Sequence, residues 1–227
     1  MLQHIDRISI QVGLSGYSFK LYAGTVPVHA SGWMSSDRIF TTPEFQRRYE
    51  KVEISVYSPK VTLVPSQVFS SDRAHAILQE VARLSDDDIV EYVSVPDQAA
   101  VMVFSNVIGE TLSRVISETV LHPDGTKARL LPELYYMLGQ IQSLQEYNKI
   151  LASYMDGVLY LVIAQGKSLL LCNSYKAPDF TTAEYFIFMA MKKLQLNPEV
   201  SSISFRTPLT TEDQMSLYHY FKSVDQV

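Results

Sequence analysis

Alternating apolar and polar residues mark two strands near the start of the chain. Residues 8–12 and 17–22 each alternate in this way, which is the pattern of a half-buried strand. Residues 13–16 between them have the composition of a tight turn, so the two strands are predicted to pair as a hairpin. A further extended piece at 26–30 contains Pro27, which restricts it to the edge of a sheet.

Helical spacing of apolar residues marks two amphipathic helices. The first stripe is Ala74, Ile77, Leu78, Val81 and Leu84, and the second is Leu134, Met137, Leu138, Ile141 and Leu144. A third helix is predicted to begin with a capping box at 181–184 and to run to about residue 196. This helix is apolar on nearly every side, so we expect it to lie between two packed layers.

The order of predicted elements repeats. Residues 149–172 predict three strands joined by turns at 156–157 and 165–166. A three-stranded meander followed by helix, strand and helix therefore occurs twice, at about 5–84 and again at about 148–222. This repetition predicts an α/β protein with two mixed sheets and helices packed between and around them.

Composition excludes several classes of protein. Apolar residues make up 47% and charged residues 19% of the 227 residues, which fits a globular chain and not a disordered one. The net charge of −5 argues against a nucleic-acid-binding surface. The single cysteine, Cys172, excludes an internal disulfide and a multi-cysteine zinc site, and it fits a reducing compartment.

Apolar runs are too short for a membrane span. The longest lie at 157–164 and 185–191, whereas a spanning helix takes about 20 residues. The first residues carry charge and no apolar run, so no export signal is predicted and we expect a cytoplasmic protein. Several of the 14 tyrosines lie near the C-terminus. They either cover a partner-binding face or lie half-buried at the edge of the core, and the second interpretation is favoured.

Several segments resemble an uncharacterised bacterial family, a domain of unknown function that carries a degenerate actin-like ATPase fold. They are Ile-Ser-Ile at 8–10 with Tyr-Ser-Phe at 17–19, Tyr-Ser-Pro-Lys-Val-Thr-Leu-Val-Pro at 57–65, Leu-Tyr-Leu-Val-Ile at 159–163 and Gly-Lys-Ser-Leu-Leu-Leu-Cys-Asn-Ser at 166–174. The resemblance spans most of the chain. It implies a duplicated ribonuclease H-like fold, with a first ribonuclease H-like domain at 1–122 and a second at 123–227.

An active member of the actin-like superfamily is expected, by this resemblance, to carry a glycine-rich hairpin in each domain after a strand that ends near an aspartate. The carboxylate organises Mg²⁺ and water, and the turn amides hold phosphates. Here the first copy reads Ile-Gln-Val-Gly at 10–13, so the neutral Gln11 stands where the aspartate is expected. An ordinary hairpin turn is the favoured interpretation. The turn residues that could still contact a phosphate are Gly13, Leu14, Ser15 and Gly16.

The second copy departs further from the pattern of an active ATPase. Asp156 and Gly157 join two strands directly, and residues 151–154 before them contain no carboxylate. This turn is too short to wrap a phosphate, so Asp156 is interpreted as a turn residue that braces the backbone. The glycine pair that admits adenine in the family is replaced by Phe-Arg-Thr-Pro at 205–208. These three departures predict a scaffold that no longer hydrolyses ATP.

No catalytic residue, metal ligand or cofactor is predicted. Gly-Lys-Ser at 166–168 imitates the end of a P-loop, but the residues before it form a strand. The acidic run at 86–88 is favoured as a solvated turn over a Mg²⁺ site, and the five histidines lack metal-ligand spacing. Cys172 lies in an apolar strand, so it is predicted to be a small core residue and not a nucleophile.

The sequence therefore predicts a non-catalytic, actin-like pseudo-ATPase that acts by binding an unidentified protein partner. It predicts no nucleic-acid partner. The alternative is an active nucleotide-binding ATPase or phosphotransferase of the actin-like superfamily, which would bind its nucleotide through the residues of the two turns: Gly13, Leu14, Ser15, Gly16, Asp156 and Gly157. A third hypothesis is a structural subunit of a homo-oligomer.

Overall fold

The computed structural model of the protein describes residues 4–14, 16–107 and 112–227. Its strands are β1 (Arg7–Val12), β2 (Gly16–Ala23), β3 (Val26–Ala30), β4 (Met34–Ser35), β5 (Lys51–Val56), β6 (Val61–Pro65), β7 (Asp88–Val95), β8 (Ala100–Val107), β9 (Leu130–Pro132), β10 (Asn148–Met155), β11 (Val158–Gln165), β12 (Ser168–Lys176), β13 (Ser202–Phe205) and β14 (Ser223–Gln226). Its α-helices are α1 (Ala74–Val81), α2 (Leu112–Thr119), α3 (Glu133–Gln140), α4 (Phe180–Lys193) and α5 (Thr211–Tyr218). None of the helices in the described ranges is long and apolar enough to cross a membrane.

Two compact units make up the chain, and each is built from two segments. Unit 1 comprises Met1–Tyr57 and Gly109–Pro132, and unit 2 comprises Ser58–Ile108 and Glu133–Val227. The units therefore divide at three points, whereas the sequence predicted a single domain boundary between residues 122 and 123. As a boundary between two ribonuclease H-like domains, that position stays a prediction.

The sheet of unit 1 has the order β3-β2-β1-β5-β9, and β4 pairs with β2. β1 is antiparallel to β2 and parallel to β5, and β5 is parallel to β9. Alternate residues of β1 point to opposite faces of the sheet. Ile8, Ile10 and Val12 are buried in the apolar core, whereas Ser9 and Gln11 lie on the other, polar face. The predicted hairpin is confirmed, and β3 with its proline lies at the sheet edge, as expected.

Unit 2 repeats this topology in its larger sheet. The order is β12-β11-β10-β13-β14, with β10 antiparallel to β11 and parallel to β13, and with β13 parallel to β14. Each sheet thus places its first strand at the centre, a meander on one side and two parallel strands on the other. The predicted duplication and the mixed α/β class are confirmed.

A smaller sheet in unit 2 has the order β6-β8-β7 and packs against α1. Leu78 of α1 is fully buried with Val103 of β8, which accounts for the apolar stripe seen in the sequence. Ser58, just before β6, donates its amide to the hydroxyl of Tyr160 in β11 at 3.0 Å. Ser174 of β12 donates to the carbonyl of Pro59 at 3.0 Å. These bonds attach the smaller sheet to the larger one.

One local prediction is wrong, and one short strand was not predicted. The cap of α4 is Asp179, whose carboxylate accepts from the amide of Thr182 at 2.7 Å, so the helix begins before the expected capping box at 181–184. Aspartate is as good a cap as threonine, and here it comes first along the chain. β14 was not predicted, because of its four residues only Val224 is apolar and buried.

Candidate functional site

The first predicted phosphate turn is closed by its own backbone. The amide of Gly13 donates to the carbonyl oxygen of Gly16 at 2.9 Å, so this N–H is already committed within the hairpin. Leu14 is exposed, with 67% of its surface accessible. Ser15 lies outside the described residues. The structure therefore brings Gly13, Leu14 and Gly16 together at one turn, and phosphate contact there stays a prediction.

Gly16 is a glycine because another part of unit 1 approaches it closely. A Cβ atom at this position would meet the carbonyl oxygen of Met34 and would lie 2.6 Å from Nε1 of Trp33. Gly16 pairs with Ser35, so β4 runs alongside the start of β2. The glycine that resembles part of a phosphate-binding hairpin is thus required by the packing of Trp33 and Met34.

Gln11 is held on the polar face of the sheet by two serine hydroxyls. Its side-chain Nε2 donates to Oγ of Ser9 at 3.3 Å, and its Oε1 accepts from Oγ of Ser18 at 3.1 Å. Ser18 is directly opposite Gln11 in the β1–β2 register. Gln11 is only 1% exposed, and a buried polar group needs such partners to offset its loss of water. Both ends of the amide therefore already have partners within the sheet.

The second predicted turn is a two-residue hairpin. Met155 pairs directly with Val158, and φ is 47° at Asp156 and 73° at Gly157. Two consecutive left-handed residues are typical of the tight turns that join twisted strands. The amide of Ala177 donates to the carbonyl of Gly157 at 2.8 Å. The hairpin is confirmed, and nucleotide contact by Asp156 and Gly157 stays a prediction.

A buried ion pair in unit 2 was missed by the sequence analysis. Nε of Arg206 lies 2.8 Å from Oε1 of Glu133, and these side chains are 6% and 0% exposed. Ser153 of β10 donates to the same oxygen at 2.8 Å. Arg206 also donates from Nη1 to Oε1 of Gln140 at 2.5 Å. Oε2 of Glu133 is buried and has no hydrogen-bond partner among the described residues.

Arg206, one partner of this ion pair, lies in the stretch 205–208, where the family resemblance implies a glycine pair that admits adenine. The amide of Arg206 donates to the carbonyl of Ala152 at 3.0 Å, which extends the β10–β13 pairing by one bond. The next residue, Thr207, is fully buried and accepts at Oγ1 from the amide of Tyr154 at 2.9 Å. Residues 205–207 are therefore held along β10 by main-chain and side-chain bonds. No local sequence signal marks the pair, since Glu133 and Arg206 lie far apart along the chain.

A second ion pair divides the acidic run at 86–88. The side chain of Asp88 is 1% exposed and lies 2.5 Å from Nζ of Lys60, whereas Asp86 and Asp87 are exposed. Burial raises the pKa of the Asp88 carboxyl, but hydrogen bonds from Lys60, Ser105 and Ser85 outweigh it and hold that pKa well below its ordinary value. The acidic run thus consists of two solvated residues and of Asp88, which bonds the start of β7 to Lys60, just before β6, and to Ser105 of β8.

Metal-binding and nucleophilic groups do not cluster in the described ranges. No group of three or more His, Cys, Asp or Glu side chains that could hold a metal ion occurs among the residues that the structure describes. Desolvation in β12 raises the pKa of the Cys172 thiol to about 12. Since the thiolate is the reactive form, this cysteine is a poor nucleophile at neutral pH.

Comparison with known proteins gives a family and a fold. A family model described as "Protein of unknown function (DUF3822)" matches residues 9–224. No curated protein matches the chain.

Two solved structures resemble the whole chain. A protein of unknown function with an actin-like ATPase fold from Bacteroides thetaiotaomicron VPI-5482 is 17% identical, covers 99% of this chain and 91% of its own, and superposes with a TM-score of 0.66. A chain of the PilM–PilN type IV pilus biogenesis complex is 12% identical, with 98% and 88% coverage and a TM-score of 0.54. Such distant likenesses establish the fold alone. The chain has the actin-like ATPase fold that the sequence resemblance implied.

Proposed function

Because this chain belongs to the DUF3822 family of proteins of unknown function, its role must be inferred from its own residues, and we propose that it is a cytoplasmic, non-catalytic scaffold that binds a protein partner. The proposal has two parts. The first is that the nucleotide chemistry of the actin-like fold is lost, and the second is that a protein partner replaces it.

The position of Gln11 is the observation that carries the first part. In an active actin-like ATPase a carboxylate is expected here, and its charge would hold Mg²⁺ and the attacking water. The side chain of Gln11 is uncharged, buried and bonded at both ends to Ser9 and Ser18. If Gln11 turned towards a ligand, the hydroxyls of Ser9 and Ser18 would lose their hydrogen bonds to it, and each lost hydrogen bond costs about 1–3 kcal/mol.

Packing at two further positions supports the same conclusion. Gly16, which resembles a phosphate-turn glycine, is closed over by Trp33 and Met34. Arg206, which lies in the stretch where the glycine pair is expected, is bonded to Glu133 and Gln140. Gly16 and Arg206 thus take part in packing and hydrogen bonding within the protein itself.

The likeness to the PilM–PilN complex supports the second part. That structure is a type IV pilus biogenesis complex, so a chain with the same fold occurs there within a complex. The fold carries many functions, so this likeness motivates the proposal and does not identify the partner.

Calorimetric titration of the full chain with Mg-ATP tests the first part. We expect no saturable heat and no release of phosphate, because no carboxylate stands at position 11 to hold the metal. Saturable binding accompanied by hydrolysis would contradict the proposal and favour the active ATPase or phosphotransferase. The same titration with Mg-ADP and Mg-GTP extends the test to other nucleotides.

Chemical cross-linking in the native host, followed by quantitative mass spectrometry, tests the second part. We expect a protein that is enriched over a tagged control and that binds the purified chain saturably. If only copies of this chain are recovered, the structural-subunit hypothesis is favoured instead. Light scattering over a concentration series then measures the oligomer directly.

A further inference from the structure

Exposed aromatic side chains on α4 and after α5 form one surface of unit 2. Tyr185 is 63% exposed and Tyr220 is 51% exposed. The ring of Phe188 lies 4.9 Å from the ring of Tyr220, centroid to centroid. This contact joins α4 to the turn that follows α5. Tyr185 precedes Phe188 by three residues, so it lies on the same side of α4.

The turn that presents Tyr220 is rigidly held. The amides of Tyr220 and Phe221 donate to the carbonyl of Leu217 at 3.0 and 2.9 Å. Phe221 is 4% exposed and stacks against Phe188 at 5.8 Å, and burial of this residue leaves Tyr220 on the outside. The amide of Lys222 donates to the carbonyl of Ser201 at 3.0 Å. A surface that is ordered in advance loses little entropy when a partner binds.

The charge around this surface is opposite to that of the whole chain. Residues 184–193 and 215–222 contain three lysines and one acidic residue, Glu184, whereas the whole chain has a net charge of −5. Lys192 follows Phe188 by four residues and so lies on the same face of α4. Lys222 follows the exposed Tyr220 by two residues and is itself exposed. The aromatic area therefore has a basic rim.

We propose that this surface, made by Tyr185, Phe188, Tyr220, Lys192 and Lys222, binds an acidic segment of a partner protein that places an aromatic or large aliphatic side chain against the rings. The inference rests on the proposed function and specifies its site. Tyrosine is enriched in the centres of protein interfaces, and the complementary charge directs and accelerates association.

A photo-cross-linker at position 220 locates the partner. The full chain is expressed in its native host with benzoylphenylalanine in place of Tyr220, and the matched control carries it in place of Tyr147, another exposed tyrosine of unit 2. We expect cross-linking at 220 and not at 147. The cross-linked segment is expected to contain more acidic than basic residues and at least one aromatic, Leu, Ile or Met side chain.

Titration of the cross-linked segment, synthesised as a labelled peptide, then tests the chemistry. The double variants Tyr185→Ser/Tyr220→Ser and Lys192→Glu/Lys222→Glu should each weaken binding about tenfold or more, which is the size of loss typical of central interface residues. Tyr147→Ser should bind like the wild type. A peptide with lysines in place of its acidic residues should bind the Lys192→Glu/Lys222→Glu variant better than it binds the wild type.

Three results would overturn the inference. A partner that binds both double variants with unchanged affinity would lie elsewhere on the chain, and the proposed function would stand without this site. Binding of phosphatidylglycerol vesicles that is lost in Lys192→Glu/Lys222→Glu would assign the surface to a membrane. Absence of any saturable protein partner in the host would overturn the proposed function itself. Circular dichroism of each variant shows that it is folded.

Discussion

Glu133 and Arg206 meet within unit 2, with Oε1 and Nε 2.8 Å apart and both side chains buried. Ser153 donates to the same carboxylate oxygen, so the first residue of α3 is attached to β10 and to the end of β13 at one point. A buried pair of this kind is costly to break, because removal of one partner leaves the other charge without compensation in a medium of low polarity.

Arg206→Met should therefore destabilise the protein strongly. Loss of the guanidinium leaves the Glu133 carboxylate buried beside Ser153 alone, and such losses cost about 3–5 kcal/mol. Urea unfolding followed by circular dichroism measures the change in the free energy of unfolding. Arg114→Met is the control, because Arg114 forms a pair with Glu118 in which its side chain is 78% exposed. Exposed pairs contribute about 0–1 kcal/mol, so similar losses in the two variants would contradict a special role for Arg206.

Substitution of Gly16 tests whether packing requires this glycine. The Cβ of Gly16→Ala would collide with Met34 and Trp33, so we expect a loss of about 1–3 kcal/mol in the free energy of unfolding. Since Trp33 is the only tryptophan, its fluorescence emission and its quenching by acrylamide should change as well. Gly139→Ala is the matched control, because Gly139 lies in α3 with no atom near the new methyl group. Alanine there should be neutral or stabilise by up to about 1 kcal/mol.

Asp88→Asn should lower stability in a manner that depends on pH. The folded-state pKa of Asp88 is depressed, so its stabilisation is complete above the unfolded-state pKa of about 4 and is lost as pH falls towards the folded-state value. The difference in unfolding free energy between wild type and variant should be about 2 kcal/mol at neutral pH. This difference in unfolding free energy should become smaller below about pH 4. Asp86→Asn, at an exposed position of the same run, should show no such difference, and a gap that stays constant with pH would contradict the assignment.

Local pattern was sufficient for most of the strands and for the repeated order of elements, whereas the fold itself was implied by the family resemblance. The alternation at 8–12 and the stripe from Ala74 to Leu84 both report which side of an element is buried, and burial of one side is what selects a strand or a helix. The same alternation predicted that Gln11 lies on a strand whose hairpin partner contains Ser18. It could not show that the amide bonds to Ser9 and Ser18, because side-chain direction depends on the register of β1 and β2.

Long-range contacts account for what the sequence did not reveal. Nothing in the sequence marks Glu133 and Arg206 as partners, and only the fold brings them together. Gly16 looked like a turn glycine, whereas the close approach of Trp33 and Met34 requires it, and Met34 begins a strand that is only two residues long. Such short strands carry too little periodicity to be predicted from sequence.

Gln11→Asp offers the sharpest test of lost nucleotide chemistry, because it restores the residue type expected in an active member. We expect no saturable binding of Mg-ATP, since the Gly13 amide remains bonded to Gly16 and Arg206 remains bonded to Glu133.

The new carboxylate would instead be buried among serines, and burial raises the pKa of a carboxyl group. The destabilisation caused by the ionised carboxylate should be at least about 2 kcal/mol. It should be complete above the folded-state pKa of this new carboxyl group and should vanish below its unfolded-state pKa of about 4. Gln11→Asn, which shortens the side chain equally without adding charge, isolates the effect of the charge. Binding and hydrolysis of Mg-ATP by Gln11→Asp would instead show that one substitution separates this protein from an ATPase.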